Sequence, residues 1–314
     1  MGAYLVRRVL IAVPVLGIVS FAVFAMTYLI PGDPARVLAG DHATPEQYQA
    51  IRHELYLDRG FFSQFAHWFG NVLTGNLGNS IERHSSVSAA IGQTFPVTLS
   101  LALGAMAVTL LFGVPLGVAA GTRPGTRIDR AIAIGTSVGL ALPDFFVALL
   151  LLAVFAIHLQ WFPSISYVKL TDDPAQWAQH LVLPWIALGI GNASTLARQV
   201  RAAMADTMEQ DYVRTARAKG LPQRLIVYKH ALKNASITPL TVLGIQFAYL
   251  LGGSVIIEVF FGLPGMGLFF YQGLISKDVP VIQGLTLLVA VTFVVMSIVV
   301  DAAYAFVNPK VRLG

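Results

Sequence analysis

Six long apolar runs, separated by polar stretches, constrain this chain more than any other feature. They cover residues 9–30, 97–121, 132–159, 181–196, 239–261 and 281–306. The first holds 22 residues behind Arg7 and Arg8. At 1.5 Å per residue that is enough to cross a hydrocarbon core of about 30 Å. It is longer than the apolar part of a secretory signal and lacks a small-residue cleavage site, so we expect it to be retained. The fourth run is the shortest and is interrupted by Pro184, Gly189 and Gly191. Only 12% of the 314 residues are charged and 56% are hydrophobic, where a soluble domain carries about 25% charged residues. The expected fold class is therefore all-α, a polytopic membrane protein with six transmembrane helices.

Charge placement orients the spans. An even number of crossings puts both termini on one side, and the segments on that side hold 15 of the 21 Lys and Arg residues. They include Arg123, Arg127 and Arg130, and eight basic residues between Arg198 and Lys233. The positive-inside rule then makes the N and C termini cytoplasmic. The net charge of +5 is topological, and nucleic acid is excluded as a partner because no basic face with base-reading groups exists.

Absent motifs narrow the chemistry. With no cysteine there is no disulfide, thiolate nucleophile or Cys-held metal. No G-x-x-x-x-G-K-[ST] loop is present, so ATP hydrolysis is not expected of this chain, and no His pair has the zinc-hydrolase spacing. Gly135-Thr136-Ser137-Val138-Gly139 matches a nucleophile-elbow pattern but lies inside an apolar run rather than at a strand-to-helix turn. No catalytic residue, cofactor or metal ligand is assigned. Gly113, Gly117 and Gly121 have the spacing of a helix-packing face.

Two segments outside the bilayer carry order of their own. In the outer segment, residues 31–96, Thr44-Pro45-Glu46-Gln47 reads as a capped helix start. Phe61, Phe62, Phe65, Trp68, Phe69, Val72 and Leu73 form an aromatic face, for which packing against the helices is preferred to partner docking. The inner segment, residues 202–236, predicts a helix over 206–219 stopped by Gly220 and Pro222. A second, amphipathic helix with Leu225, Tyr228, Leu232 and Ala235 on one face should follow. Three acids fall within apolar runs. Asp301 is near the inner end of the last and reaches the interface. Asp144, after Pro143, and Glu258, after Gly252 and Gly253, lie deeper, where a carboxylate serves either a translocation pathway or a helix-to-helix hydrogen bond.

Several ordered strings resemble the membrane permease subunit of binding-protein-dependent ABC importers, in the dipeptide, oligopeptide and nickel branch. They are Leu29-Ile30-Pro31-Gly32-Asp33-Pro34, Gly75-Asn76-Leu77-Gly78-Asn79-Ser80, the inner string from Asp211 to Leu221, Gly252-Gly253-Ser254 through Glu258, Leu263-Pro264-Gly265-Met266-Gly267, and Asp301 through Arg312. The resemblance implies a type I ABC importer permease fold. It divides the chain into a first helix (1–30), an extracytoplasmic segment (31–96) and a five-helix core (97–314). The inner string then corresponds to the coupling helix that docks on an ATP-binding subunit, through Asp211, Tyr212, Arg214, Thr215, Ala216, Arg217, Lys219, Gly220 and Leu221. The family signature E-A-A, three residues, Gly becomes Arg214, Thr215, Ala216 and Gly220, and the usual I-x-L-P becomes His230-Ala231-Leu232-Lys233. In the outer segment Asn76 and Gly60 stand where the family usually has Asp and Pro.

The resemblance also implies partners: a second homologous permease, two ATP-binding subunits carrying ATP and Mg, an extracytoplasmic substrate-binding protein, and the lipid of a prokaryotic cytoplasmic membrane. Di- or oligopeptides are the expected substrate, with glutathione, nickel complexes and sugars as alternatives. The rival readings are an ATP-independent secondary transporter or channel relaying ions through Asp144 and Glu258, an intramembrane enzyme, and a scaffold.

Overall fold

The computed structural model describes residues 2–28, 35–36, 43–54 and 56–307, and these are mostly helical. The Leu29-to-Pro34 string and the residues after Val307 lie outside the described residues.

Helix α1, Gly2–Thr27, is followed by α2, Pro45–Glu54. The expected cap on α2 forms: Gln47 N donates to Thr44 Oγ1 at 3.3 Å and Thr44 N to Gln47 Oε1 at 3.0 Å, a reciprocal capping box. The aromatic face of α3, Phe61–Leu73, packs on α1. Phe24 lies 5.4 to 5.6 Å from the rings of Phe61, Phe65 and Trp68. Phe62 and Leu73, counted with that face in sequence, are instead exposed.

Helix α4, Val87–Gly121, begins ten residues before the expected span, with Ser86 as N-cap. Its 35 residues extend about 52 Å, well beyond the hydrocarbon core. The next run is not one helix. Helix α5, Arg127–Ala141, and α6, Asp144–Leu151, with its π-helical continuation Leu152–His158, meet at 95°. The cause is Pro143, which disfavours helical geometry at the residue before it; Leu142 is extended at φ −83°, ψ 121°.

Helix α7, Pro174–Met208, corrects the short fourth span. Asp173 caps it by accepting from Ala175 N and Gln176 N, and Pro174 stands where no N–H is needed. It continues inward because Leu196, Val200, Met204 and Met208 bury one side at i, i+4 spacing while the charged residues take the other. Helices α4 and α7 form the main packing of the fold, and the glycine face is its seam. A Cβ on Gly117 would lie 2.5 Å from Val200 Cβ, and one on Gly121 2.6 Å from Arg201 O.

The inner segment departs from the expected pair of helices. Asp206 belongs to α7, and the chain turns at Gln210 into α8, Asp211–Ala218. After Gly220 come α9, Gln223–Leu225, a π-helical turn Ile226–Ala231, and α10, Leu232–Ala235. The wider π turn shifts the buried face. Ile226, Val227, Ala231 and Ala235 point inward, whereas Tyr228 is 63% exposed.

Helix α11, Ile237–Gly253, is followed by α12, Val255–Phe261, and α13, Met266–Ile275, which meet at 94°. The fifth apolar run therefore ends in a bent hairpin. The last helix, α14, Val279–Val307, packs against α1, with Gln283 Nε2 donating to Thr27 Oγ1 at 3.2 Å. Among the described residues four helices are long and apolar enough to cross a membrane alone, and up to seven crossings result if each bent pair is one span.

Candidate functional site

The coupling-helix candidate is built from its buried side outward. Val213 and Ala216 are the buried residues of α8, three apart and so on one face. They join a cluster with Met204, Met208, Val118, Ile226 and Val227. That base fixes which residues face outward: Asp211, Tyr212, Arg214, Thr215, Arg217 and Lys219 are exposed. Ala216, expected with the docking residues, packs inward instead. Val213, which sequence reasoning did not single out, is the completely buried anchor.

Gly220 ends the helix in a left-handed conformation, φ +72°, with its N–H donating to Arg217 O at 2.9 Å. Leu221 N donates back to Ala216 O at 3.3 Å and leaves Leu221 half-buried, so the helix closes as a glycine-capped end does. Asn234 Nδ2 donates to the Tyr212 hydroxyl at 2.9 Å, tying α8 to α10. The Arg214–Asp211 pair at 3.5 Å is exposed and contributes little. The outward face is left net basic on a rigid apolar base.

The two intramembrane acids are not paired with each other, and their surroundings differ. Glu258 is wholly buried. Its Oε1 accepts from Thr98 Oγ1 and Ser254 Oγ, both at 2.8 Å, and its Oε2 accepts from Leu268 N at 2.9 Å. The Thr98 hydroxyl in turn accepts from Met266 N at 2.8 Å. One carboxylate thus ties α4, α12 and α13 at the bend. The Leu263-to-Gly267 string is explained by it, since a Cβ on Gly265 would fall 2.5 Å from Glu258 Cδ and one on Gly267 2.9 Å from Oε2. Asp144, at the other bend, is half-buried and has no hydrogen bond or ion pair among the described residues. Its Oδ1 lies over Gly191, where a Cβ would stand 3.2 Å away. Asp301 lies in α14.

Two further carboxylates escaped sequence reasoning. Asp129, at the start of α5, is buried and receives Nε and Nη2 of Arg201 on α7, the latter at 2.8 Å, together with Gly125 N at 2.9 Å. Asp278 is buried before α14 and accepts from Ser80 Oγ at 2.6 Å and Glu82 N at 3.2 Å. This clasp holds the Gly75-to-Ser80 turn onto the core, and Arg83 adds a bond to Gln272 at 2.6 Å. The only sequence signal was that each acid follows or precedes a turn at a helix start. No group of His, Cys, Asp or Glu among the described residues could hold a metal ion.

Comparison with known proteins places this geometry in a family. Residues 113–313 match the family described as binding-protein-dependent transport system inner membrane component, and residues 1–102 match the N-terminal family of the same membrane components. A putative peptide transport system permease protein of Brucella abortus (strain 2308) is 40% identical over 312 residues, 99% of each chain. A probable peptide ABC transporter permease of Sinorhizobium fredii is 36% identical over 99% of this chain. The glutathione transport system permease protein GsiC of Escherichia coli O6:H1 is 37% identical over 98% of each chain. Among solved structures, an inward-facing MetNI methionine ABC transporter chain superposes with a TM-score of 0.58 at 20% identity, covering 69% of this chain and 96% of that one. The shared fold is that of a type I ABC importer permease. The chain therefore belongs to the inner membrane components of binding-protein-dependent transport systems, as a multi-pass permease subunit of an ABC importer.

Proposed function

We propose that this permease imports di- or oligopeptides by alternating access, driven by two ATP-binding subunits that dock on α8, with a second permease beside it and a substrate-binding protein delivering from outside. The observation that carries this reading is α8 itself: an exposed basic face held on a buried apolar base, in a chain without a phosphate loop. Both termini and α8 lie on the cytoplasmic side in this reading, as the charge distribution requires.

The packing supplies a route for the stroke. Displacing α8 moves α7 and α4 together, because the glycine seam leaves no room for them to slide. The Asp129–Arg201 pair carries α5 with them, toward the bend that holds Asp144. We keep Asp144 as the translocation-pathway carboxylate. Glu258, with its oxygens occupied by three donors, acts as an anchor of the α12–α13 hairpin. Peptide as substrate is supported by the relatives in Brucella and Sinorhizobium. Glutathione, itself a tripeptide with a γ-linkage, is the second reading and is favoured by the similarity to GsiC.

Gentle solubilisation of the tagged protein should copurify two ATP-binding subunits and a second permease, with ATPase activity stimulated by loaded binding protein. Competition between dipeptides and glutathione in uptake then identifies the substrate. A chain that comes alone and transports in liposomes without ATP refutes the importer reading.

A further inference from the structure

A cavity of about 320 Å³ opens between α5 and α7, walled by Ile132, Ala133, Thr136 and Ala197, with Arg198 and Arg201 also lining it. This size is at the lower end of the ~300–1,000 Å³ typical of ligand clefts. Apart from its arginines the lining needs no polar ligand from its side chains, since the hydroxyls of Thr136 and Ser137 already donate to Ala133 O, at 3.1 and 2.8 Å. The apolar character continues outside it along α5, where Ile134 and Val138 are 67% and 53% exposed.

Arg198 and Arg201 are the basic residues of the lining itself. Arg127 and Arg130 are exposed at the start of α5, and Arg130 stands one turn before Ala133 on the same side of the helix. Asp129 pairs directly with Arg201 and also feels the charge of Arg130, so that one carboxylate stands among the four guanidiniums of Arg127, Arg130, Arg198 and Arg201 and leaves them in net positive excess. An apolar slot beside a net excess of cations, at what the proposed topology makes the inner surface, is complementary to an amphiphile with an anionic head. A small soluble anion would use the arginines and leave the slot unused.

We propose that this cavity is a binding site for an anionic phospholipid of the cytoplasmic leaflet, one acyl chain lying between α5 and α7 and the phosphate facing Arg198 and Arg130. The Asp129–Arg201 pair holds the two helices at the spacing that forms the slot. The inference rests on the topology proposed above, which places these arginines at the inner surface. A lipid seated there would sit directly on the ion pair that links α5 to α7.

The complete transporter, purified in mild detergent, would be titrated with phosphatidylglycerol or phosphatidylcholine, and the bound lipid counted by native mass spectrometry. Phosphatidylglycerol should be retained in preference. Arg198→Ala should weaken its retention about fivefold, the equivalent of the ~1 kcal/mol that a basic residue contributes at an anionic surface. Ala133→Trp, which fills the slot, should abolish it, and Lys169→Ala, far along the chain in an exposed loop, should leave it unchanged. Equal retention of the two lipids, or wild-type retention in both Arg198→Ala and Ala133→Trp, overturns the proposal. So does a disulfide from Ser137→Cys to the companion permease, which would identify a protein as the occupant. Loss of peptide import with phosphatidylglycerol still selectively bound would count against the substrate reading and not against this site.

Discussion

Thr98→Val separates an anchoring Glu258 from a transporting one. Thr98 is completely buried, and its hydroxyl serves two partners, donating to Glu258 Oε1 and accepting from Met266 N, each at 2.8 Å. Valine keeps the shape and removes both bonds. The stranded Met266 N–H costs about 1–3 kcal/mol, and a lost hydrogen bond to a carboxylate about 1.5–3 kcal/mol. The added methyl group returns ~0.8 kcal/mol of apolar burial. The net expectation is a loss of about 2–5 kcal/mol, centred on the α12–α13 bend. Ser254→Ala removes a single donor from the same carboxylate and should cost about half as much. The assay is thermal inactivation of the purified transporter in detergent, read by size-exclusion fluorescence, with the order wild type, Ser254→Ala, Thr98→Val. Transport per folded molecule should stay near wild type in both variants. Wild-type thermostability in Thr98→Val together with lost transport would refute the reasoning and return Glu258 to the pathway.

Other consequences of the packing are open to measurement. Gly117→Leu should prevent α4 from seating on α7 and abolish the monodisperse peak in detergent, while Gly135→Leu, with nothing within 4 Å of its Cβ position, should leave it unchanged. Arg217→Glu reverses charge on the exposed face of α8 without touching Val213 or Ala216. It should lower copurification of the ATP-binding subunits at unchanged thermostability, whereas Val213→Asp should reduce the folded yield itself by burying an unpaired charge. Asp173 is held below the ordinary aspartate pKa by the N–H groups of Gln176 and Ala175. Its capping contribution is complete above the unfolded value near pH 4 and is lost as pH falls through the lowered folded value. Asp173→Asn should remove that part of the acid dependence of amide exchange in the first turn of α7.

Much of the membrane architecture was legible because it depends on local quantities. Whether a segment enters lipid follows from its own hydropathy. The glycine seam was legible for a similar reason: residues four apart share a helix face whatever the helix meets. The limits of locality appear at the fourth span, where Pro184 and the charges beyond Leu196 masked a helix of 35 residues. They appear again at Tyr228, placed on the wrong face because a π-helical turn, which leaves no composition signal, changes the period from Ile226 onward.

The carboxylates mark the division most clearly. Sequence alone determined that a charge within an apolar run needs a partner, a cavity or water, and so singled out Asp144 and Glu258. It did not determine which of those each acid has. The partners of Asp129, Glu258 and Asp278 lie 72, 160 and 198 residues away, and no local rule pairs groups at such separations. Ser254, one turn before Glu258 on α12, is the one donor that local geometry supplies; Thr98 comes within hydrogen-bond range only after α4 has packed on the α12–α13 hairpin, and Leu268 only once that hairpin has bent, while Asp144 is left over Gly191 with no donor among the described residues. Hydropathy is a property of each segment by itself; hydrogen bonds of about 3 Å between distant segments exist only once the whole fold has set their distances.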